Sequence, residues 1–156
     1  LQSWSTKLRT GCGNQVFPKN RSIRQILKAL EKGEDVGFLI DQNVQEKEGV
    51  YAPFFGHPAC TSSILAALAL KTSAFVVVGF IYPREDVRGY YRIRFHSPIQ
   101  LISSGDYEKD LVQGTAKFNH YIEEMIREYP HCWLWGHRRF QTQPDGTSLY
   151  DVELKK

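Results

Sequence analysis

The sequence predicts an α/β fold, with a mixed, mostly parallel central sheet flanked by helices. Three observations point there. Residues 36–40, Val-Gly-Phe-Leu-Ile, are an uninterrupted apolar run, the pattern of a strand covered on both faces in a parallel sheet. Residues 74–82, AFVVVGFIY, form a second run of that kind. Helical spacing precedes the first run, and an apolar helical stretch separates the two. Strand–helix–strand units with parallel pairing follow from that order.

Taken in order, residues 1–9 read as the end of a helix carrying Trp4 and Leu8, closed by Gly11 and Gly13. The Gly-Cys-Gly there is no dinucleotide fingerprint, because it precedes the short strand expected at 15–17 and lacks a third glycine. Ser22 opens a capping-box pattern. Behind it Ile23, Ile26, Leu27 and Leu30 recur at helical spacing, and Gly33 stands where a C-terminal cap belongs. The 22–32 helix leads into the 36–40 strand, which stops at Asp41-Gln42-Asn43. A polar segment follows at 45–49, then the aromatic block 50–56 broken by Pro53. Thr61 is positioned to cap a helix over 62–71, SSILAALALK, apolar around nearly its whole circumference. Such a helix is buried on most sides, or rests on a membrane or acyl chain. After the 74–82 strand and a charged turn at 83–89, residues 90–95 alternate. Tyr91, Ile93 and Phe95 share one face, and Arg92 and Arg94 the other, as in an antiparallel or edge strand with one wet face. Pro98 begins an extended piece to 102. A long helix over 106–128 carries Leu111, Phe118, Ile122, Met125 and Tyr129 on its apolar stripe and ends at Pro130. An aromatic and basic segment, residues 131–140, trails into a turn at 144–146.

At 156 residues the chain suffices for one domain with a sizeable core, and 42% hydrophobic and 13% aromatic residues suit a globular protein. A net charge of +3 is too small to argue for nucleic acid by itself. Three cysteines without a close pair argue against a disulfide framework or zinc site and fit a reducing compartment. No apolar run reaches the roughly 18 residues of a membrane-spanning helix.

Asp41 is the leading candidate for chemistry, because ligands bind open α/β sheets at the carboxyl ends of strands. Its competing reading is a solvated turn or capping residue. His57 and Cys60 raise a cysteine nucleophile against a buried packing thiol. The aromatic and basic cluster from Trp133 to Phe140 raises single-strand nucleic-acid binding against a structural tail with arginines reaching to solvent.

Further signals are the spaced residues between 41 and 80. An Asp41-Gln42 pair precedes a Gly49-Val50-x-x-Pro53-Phe54-Phe55-Gly56 block, then Pro58-Ala59-x-Thr61 and an alanine-rich helix. Thr72, Ala74, Val76 and Val77 follow, and the chain closes with WLWGHRRFQTQPDG. This pattern resembles the bacterial lipid A biosynthesis acyltransferases, the late lauroyl or myristoyl transferases, over at least two thirds of the chain. Two departures stand out. Val78-Gly79 replaces the Val-Pro of many relatives. No histidine here has a carboxylate five residues on, so the family's His-x4-Asp/Glu motif is absent.

The resemblance implies that residues 1–156 are the C-terminal portion of a single acyltransferase domain, with that motif and a membrane anchor upstream. It implies acyl transfer from an acyl carrier protein thioester to a hydroxyl of a lipid A precursor, with no cofactor and no nucleic acid. The expected place is the cytoplasmic face of the inner membrane, and the piece alone is expected to be inactive. A mannoside acyltransferase of lipoglycan synthesis is the nearest alternative within the family. Carried over residue by residue, Asp41 and Arg9 are the expected catalytic groups, with Lys7 close in register to Arg9. Gln42, Thr61, His137, Arg138 and Arg139 are the expected substrate contacts. If part of the domain is missing, the 62–71 helix and Phe54-Phe55 are the apolar elements expected to be uncovered.

Overall fold

The computed structural model describes residues 2–18, 22–147 and 150. It divides the chain into two compact units, residues 1–37 and 38–156.

In the first unit, α1 (Gln2–Thr10) leaves Trp4 and Leu8 exposed. No strand forms over 15–17. α2 (Ile23–Glu31) buries Ile26 and Ala29. Its end has the expected glycine cap. Gly33, at φ 76°, donates to Leu30 O at 3.0 Å and Glu34 donates to Ala29 O at 3.0 Å, the paired bonds of a Schellman motif. The capping box at the other end does not form. Ser22 has helical backbone angles rather than the extended ones an N-cap needs, and its hydroxyl turns back to Pro18 O.

The second unit is built on two hairpins and two helices. β1 (Gly49–Phe54) pairs antiparallel with β2 (His57–Ser62), from Gly49 opposite Ser62 to Phe54 opposite His57. Two residues make the turn, Phe55 at φ 50° and Gly56 at φ 79°. Positive φ at both marks a type I′ turn, whose twist matches that of the strands. Pro53 lies opposite Pro58, where neither can donate to the ladder. Both carbonyls instead accept side-chain amides, Pro53 O from Asn119 Nδ2 at 3.0 Å and Pro58 O from Gln143 Nε2 at 3.2 Å.

α3 (Ile64–Thr72) and α4 (Tyr107–Glu128) pack on each other. They approach closely at Gly114, where an added Cβ would meet a Leu101 methyl at 2.7 Å and Ala66 Cβ at 3.3 Å. Asp106 caps α4, accepting from Lys109 N at 3.1 Å. One core cluster joins Ala66 and Ala69 of α3 to Val76, Ile99, Leu111 and Phe118. A second joins Phe54 and Ala59 of the first hairpin to Ile122 and Ile126 of α4. Thr61 does not cap α3. It stays in β2, and its hydroxyl bonds Ala59 O.

β3 (Gly79–Pro83) pairs antiparallel with β4 (Tyr91–Phe95), and a bridge between Val76 and Ile99 extends that pairing. The α/β class holds, but the expected parallel pairing does not. The described strands form two antiparallel two-stranded sheets. The 36–40 run is not a strand, and Leu39 is 84% exposed. An apolar run becomes a strand only beside a partner that takes its backbone hydrogen bonds, and no described segment lies alongside this one as a ladder.

The faces of the second hairpin are also opposite to expectation. Tyr82 and Arg94 turn inward, while Ile81, Ile93 and Phe95 are 65%, 60% and 71% exposed. Arg94 binds both oxygens of Glu128 on α4 and lies over the stacked rings of Tyr82 and Tyr129. The planar guanidinium is thus held by charge and by ring faces, so the side read as wet becomes the packed one. Apolar exposure is therefore largest on this sheet. The elements expected to be uncovered are so in part: Phe55 is exposed and Ile64, Leu65, Ala67 and Leu70 of α3 are half-buried, while Phe54, Ala66, Leu68 and Ala69 are buried.

Candidate functional site

Residues 38–40, the end of the first apolar run, deliver Asp41 and Gln42 to the rim of a groove of about 390 Å³. Its walls are apolar: Phe38 and Ile40, residues 76–82, and Phe118, Ile122 and Met125 from α4. Asp41 is half-buried and Gln42 exposed. A groove of that size and lining, with few polar groups at its edge, suits a ligand that is mostly hydrocarbon and carries a polar end.

The second unit also holds a buried polar hub. Arg139, 2% exposed, donates from Nη1 to Cys60 O at 3.2 Å. Its Nη2 reaches Thr61 Oγ1 at 2.6 Å and Asn119 Oδ1 at 3.3 Å. The guanidinium carbon stands 4.8 Å from the Phe54 ring centre. Its Nε has no hydrogen-bond partner among the described residues. Burial pushes the guanidinium down to about 10, and the largest influence in the opposite direction is the charge of Asp41.

The segment carrying Arg139 is fastened to the rest of the unit by amides. Asn43 Oδ1 accepts from Thr142 N at 3.2 Å, and its Nδ2 donates to Thr142 Oγ1 at 2.9 Å. Asn43 N donates to His137 Nε2 at 2.9 Å, which makes that nitrogen an acceptor. Tyr51 donates to Gln143 O at 3.2 Å.

The expected site residues thus fall into groups. Asp41 and Gln42 meet at the groove. Thr61 and Arg139 are buried and bonded to each other, and His137 faces the Asn43 backbone. Arg138 is exposed, over the Tyr150 ring. Arg9 is exposed on α1, in the first unit. The sequence reading missed Asn43, Asn119 and Thr142. Asn119 had a signal: an amide one turn from Ile122 on an apolar stripe is a polar group in need of buried partners.

The rival chemistries lose ground on geometry. His57 and Cys60 are three apart on a strand, so they point to opposite faces. Cys60 is buried, and burial raises its thiol pKa, the reverse of nucleophile activation. Among the described residues no cluster of three His, Cys, Asp or Glu side chains could hold a metal. No described helix is long and apolar enough to cross a membrane.

An α/β unit with a carboxylate at the lip of an apolar groove has the shape and lining to take an amphiphile. The comparisons narrow this to a family. The profile of the bacterial lipid A biosynthesis acyltransferases matches residues 1–142, and the chain belongs to that family. It is 35% identical over 153 residues to a lipid A biosynthesis palmitoleoyltransferase of Escherichia coli strain K12, covering 96% of this chain and 48% of that protein. It is 28% identical over 147 residues to a lipid A biosynthesis lauroyltransferase of the same strain, covering 94% and 45%. A lipid A biosynthesis acyltransferase of Haemophilus influenzae is 28% identical over 141 residues, covering 88% and 44%. The chain thus spans about half the length of the curated relatives it matches.

Proposed function

We propose that this chain is the C-terminal portion of an acyltransferase that moves a fatty acyl group from acyl carrier protein to a hydroxyl of a lipid A precursor. The reaction belongs at the cytoplasmic face of the inner membrane. The observation that carries the reading is family membership across residues 1–142. The groove beneath Asp41 and Gln42 supports it, since its apolar walls suit an acyl chain. In this reading Asp41 orients a basic group or an acceptor hydroxyl at the groove's lip, and the general base lies outside these residues. The remainder of the domain covers the apolar side of β3–β4.

The test has two arms. The 156-residue chain alone shows no turnover of acyl carrier protein thioester above an Asp41→Ala control, because loss of a general base forfeits about 10²–10⁴ in rate. In a complete enzyme carrying this chain, Asp41→Asn costs far more activity than melting temperature. Turnover by the chain alone, or full activity of the Asn variant, contradicts the reading.

A further inference from the structure

Three separate pieces of chain meet around Phe54. The hairpin turn brings Phe55, whose ring centre is 5.0 Å from that of Phe54. The end of α4 brings Arg127, its guanidinium 4.8 Å from the Phe55 ring centre. The segment after α4 brings Trp133 and Phe140, 6.0 and 5.9 Å from the Phe54 ring centre. Trp133 tucks inward, but the next two side chains do not. Leu134 is 71% exposed and Trp135 is 67% exposed.

This exposure is held in place. Trp135 Nε1 donates to Pro130 O at 2.7 Å, Trp135 N to Trp133 O at 3.0 Å, and His137 N to Leu134 O at 3.0 Å. Arg138 follows, also exposed. Arg127 is locally matched by Glu123, which lies 3.0 Å away and also accepts Phe55 N. Arg138, whose guanidinium lies 5.9 Å from the Tyr150 ring centre, has no carboxylate partner among the described residues and is the cation this end offers.

The geometry points to a bilayer-docking tip: Leu134 and Trp135 enter the headgroup–acyl boundary, and Arg138 meets anionic headgroups. Tryptophan beside arginine is the composition of a membrane interface, where an amphipathic ring sits at headgroup depth and the cation stays wet. The patch is two side chains wide, too small for a stable protein interface of about 800 Å² per partner. Nucleic acid is disfavoured because Arg139, the other arginine of the cluster, is buried and bonded inside the chain. The exposed side of β3–β4 is a different surface. An alternating face of a two-stranded sheet with open edges suits a protein layer, because hydrocarbon cannot satisfy edge backbone groups. The inference rests on the acyltransferase reading in one respect, that the acceptor is a lipid in a bilayer.

Flotation of the purified chain with vesicles tests it without any acyl transfer. Vesicles of phosphatidylethanolamine with phosphatidylglycerol capture the chain, and phosphatidylcholine vesicles capture it less. Leu134→Ser/Trp135→Ser weakens capture by about tenfold or more. Arg138→Gln weakens it by about fivefold, on the anionic vesicles only. An Ile81→Ser/Ile93→Ser control on the sheet face leaves it unchanged. Both altered tip side chains are solvent-facing, so circular dichroism of the double variant matches wild type. Leu134→Ser alone, whose side chain makes no hydrogen bond, keeps the test open if the double variant misfolds. No capture of the wild-type chain, undiminished capture of the tip variants, or loss in the sheet-face control instead overturns the inference. So does tighter binding to a single-stranded oligonucleotide that the tip variants abolish. If capture fails while a complete enzyme still acylates, the tip is wrong and the function stands. The reverse pattern removes the function and leaves the tip.

Discussion

Arg139 shows what a single residue can hold. One guanidinium fork spans β2 and α4, satisfying the Cys60 carbonyl, Thr61 Oγ1 and Asn119 Oδ1 from the far end of the chain. Replacing it with methionine keeps bulk and removes every donor: Asn119 Oδ1 loses its partner, and Cys60 O and Thr61 Oγ1 keep only Val44 N and Asn119 Nδ2. Arg139→Met is expected to destabilise the chain by about 2–4 kcal/mol, read by urea unfolding. Arg139→Lys recovers only part of that, because one ammonium cannot reproduce the planar fork. A methionine variant as stable as wild type would show that the hub is dispensable. The sequence pointed to Arg139 first as part of a basic, aromatic cluster and then through resemblance, each time grouped with Arg138. The two adjacent arginines take opposite fates because Phe54, Thr61 and Asn119 make a cavity for one of them, and no local pattern records that.

At the scale of elements, the Arg94–Glu128 bridge ties β4 to α4 and carries a pH dependence. The bidentate guanidinium holds the Glu128 carboxyl down to about 2. Asp110 is also held below the usual carboxylate range, by the hydroxyl and backbone N–H of Ser104 and the Ser103 hydroxyl. A depressed carboxyl contributes stability that is fully present above its unfolded pKa. That contribution is lost as pH falls through the folded value. The melting temperature of the wild type should therefore fall from about pH 4 toward pH 2, and Glu128→Gln should flatten part of that fall. Parallel curves for the two proteins would dissociate the bridge from acid sensitivity. Elements whose cues are local were legible: α2 with its glycine cap, α4 from Asp106 to Pro130, and the alternation of β4. The first hairpin was not, because its turn places phenylalanine where Asn-Gly would announce it. The side of β4 that packs was misjudged for a related reason. Arg94 finds Glu128 and two tyrosine rings, partners far away in sequence.

For the whole molecule, the decisive feature is the uncovered side of the second hairpin. Phe75, Val77, Ile81, Tyr91, Ile93 and Phe95 are all exposed, and contiguous apolar surface of that kind drives association. The chain on its own is expected to self-associate with rising concentration, as sedimentation velocity would show. Ile93→Lys/Phe95→Lys should shift it toward monomer without loss of helicity. Monomeric wild type at high concentration would mean that this face is tolerated by water. The α/β class was legible at this scale because apolar runs and helical stretches alternate. Strand pairing was not, since it depends on which neighbour supplies the next ladder.

The amide clip between Asn43 and Thr142 also has a kinetic side. Its partners are 99 residues apart, so the loop it closes spans nearly all of the second unit. Closing such a loop before other contacts exist costs entropy and gains little. The clip therefore belongs late in folding, after both hairpins and α4 have met. The same order reversed makes release of the 137–143 segment an early step of unfolding. With that release Arg139 leaves its cavity, so the buried polar hub of Arg139, Thr61 and Asn119 is assembled last and dismantled first.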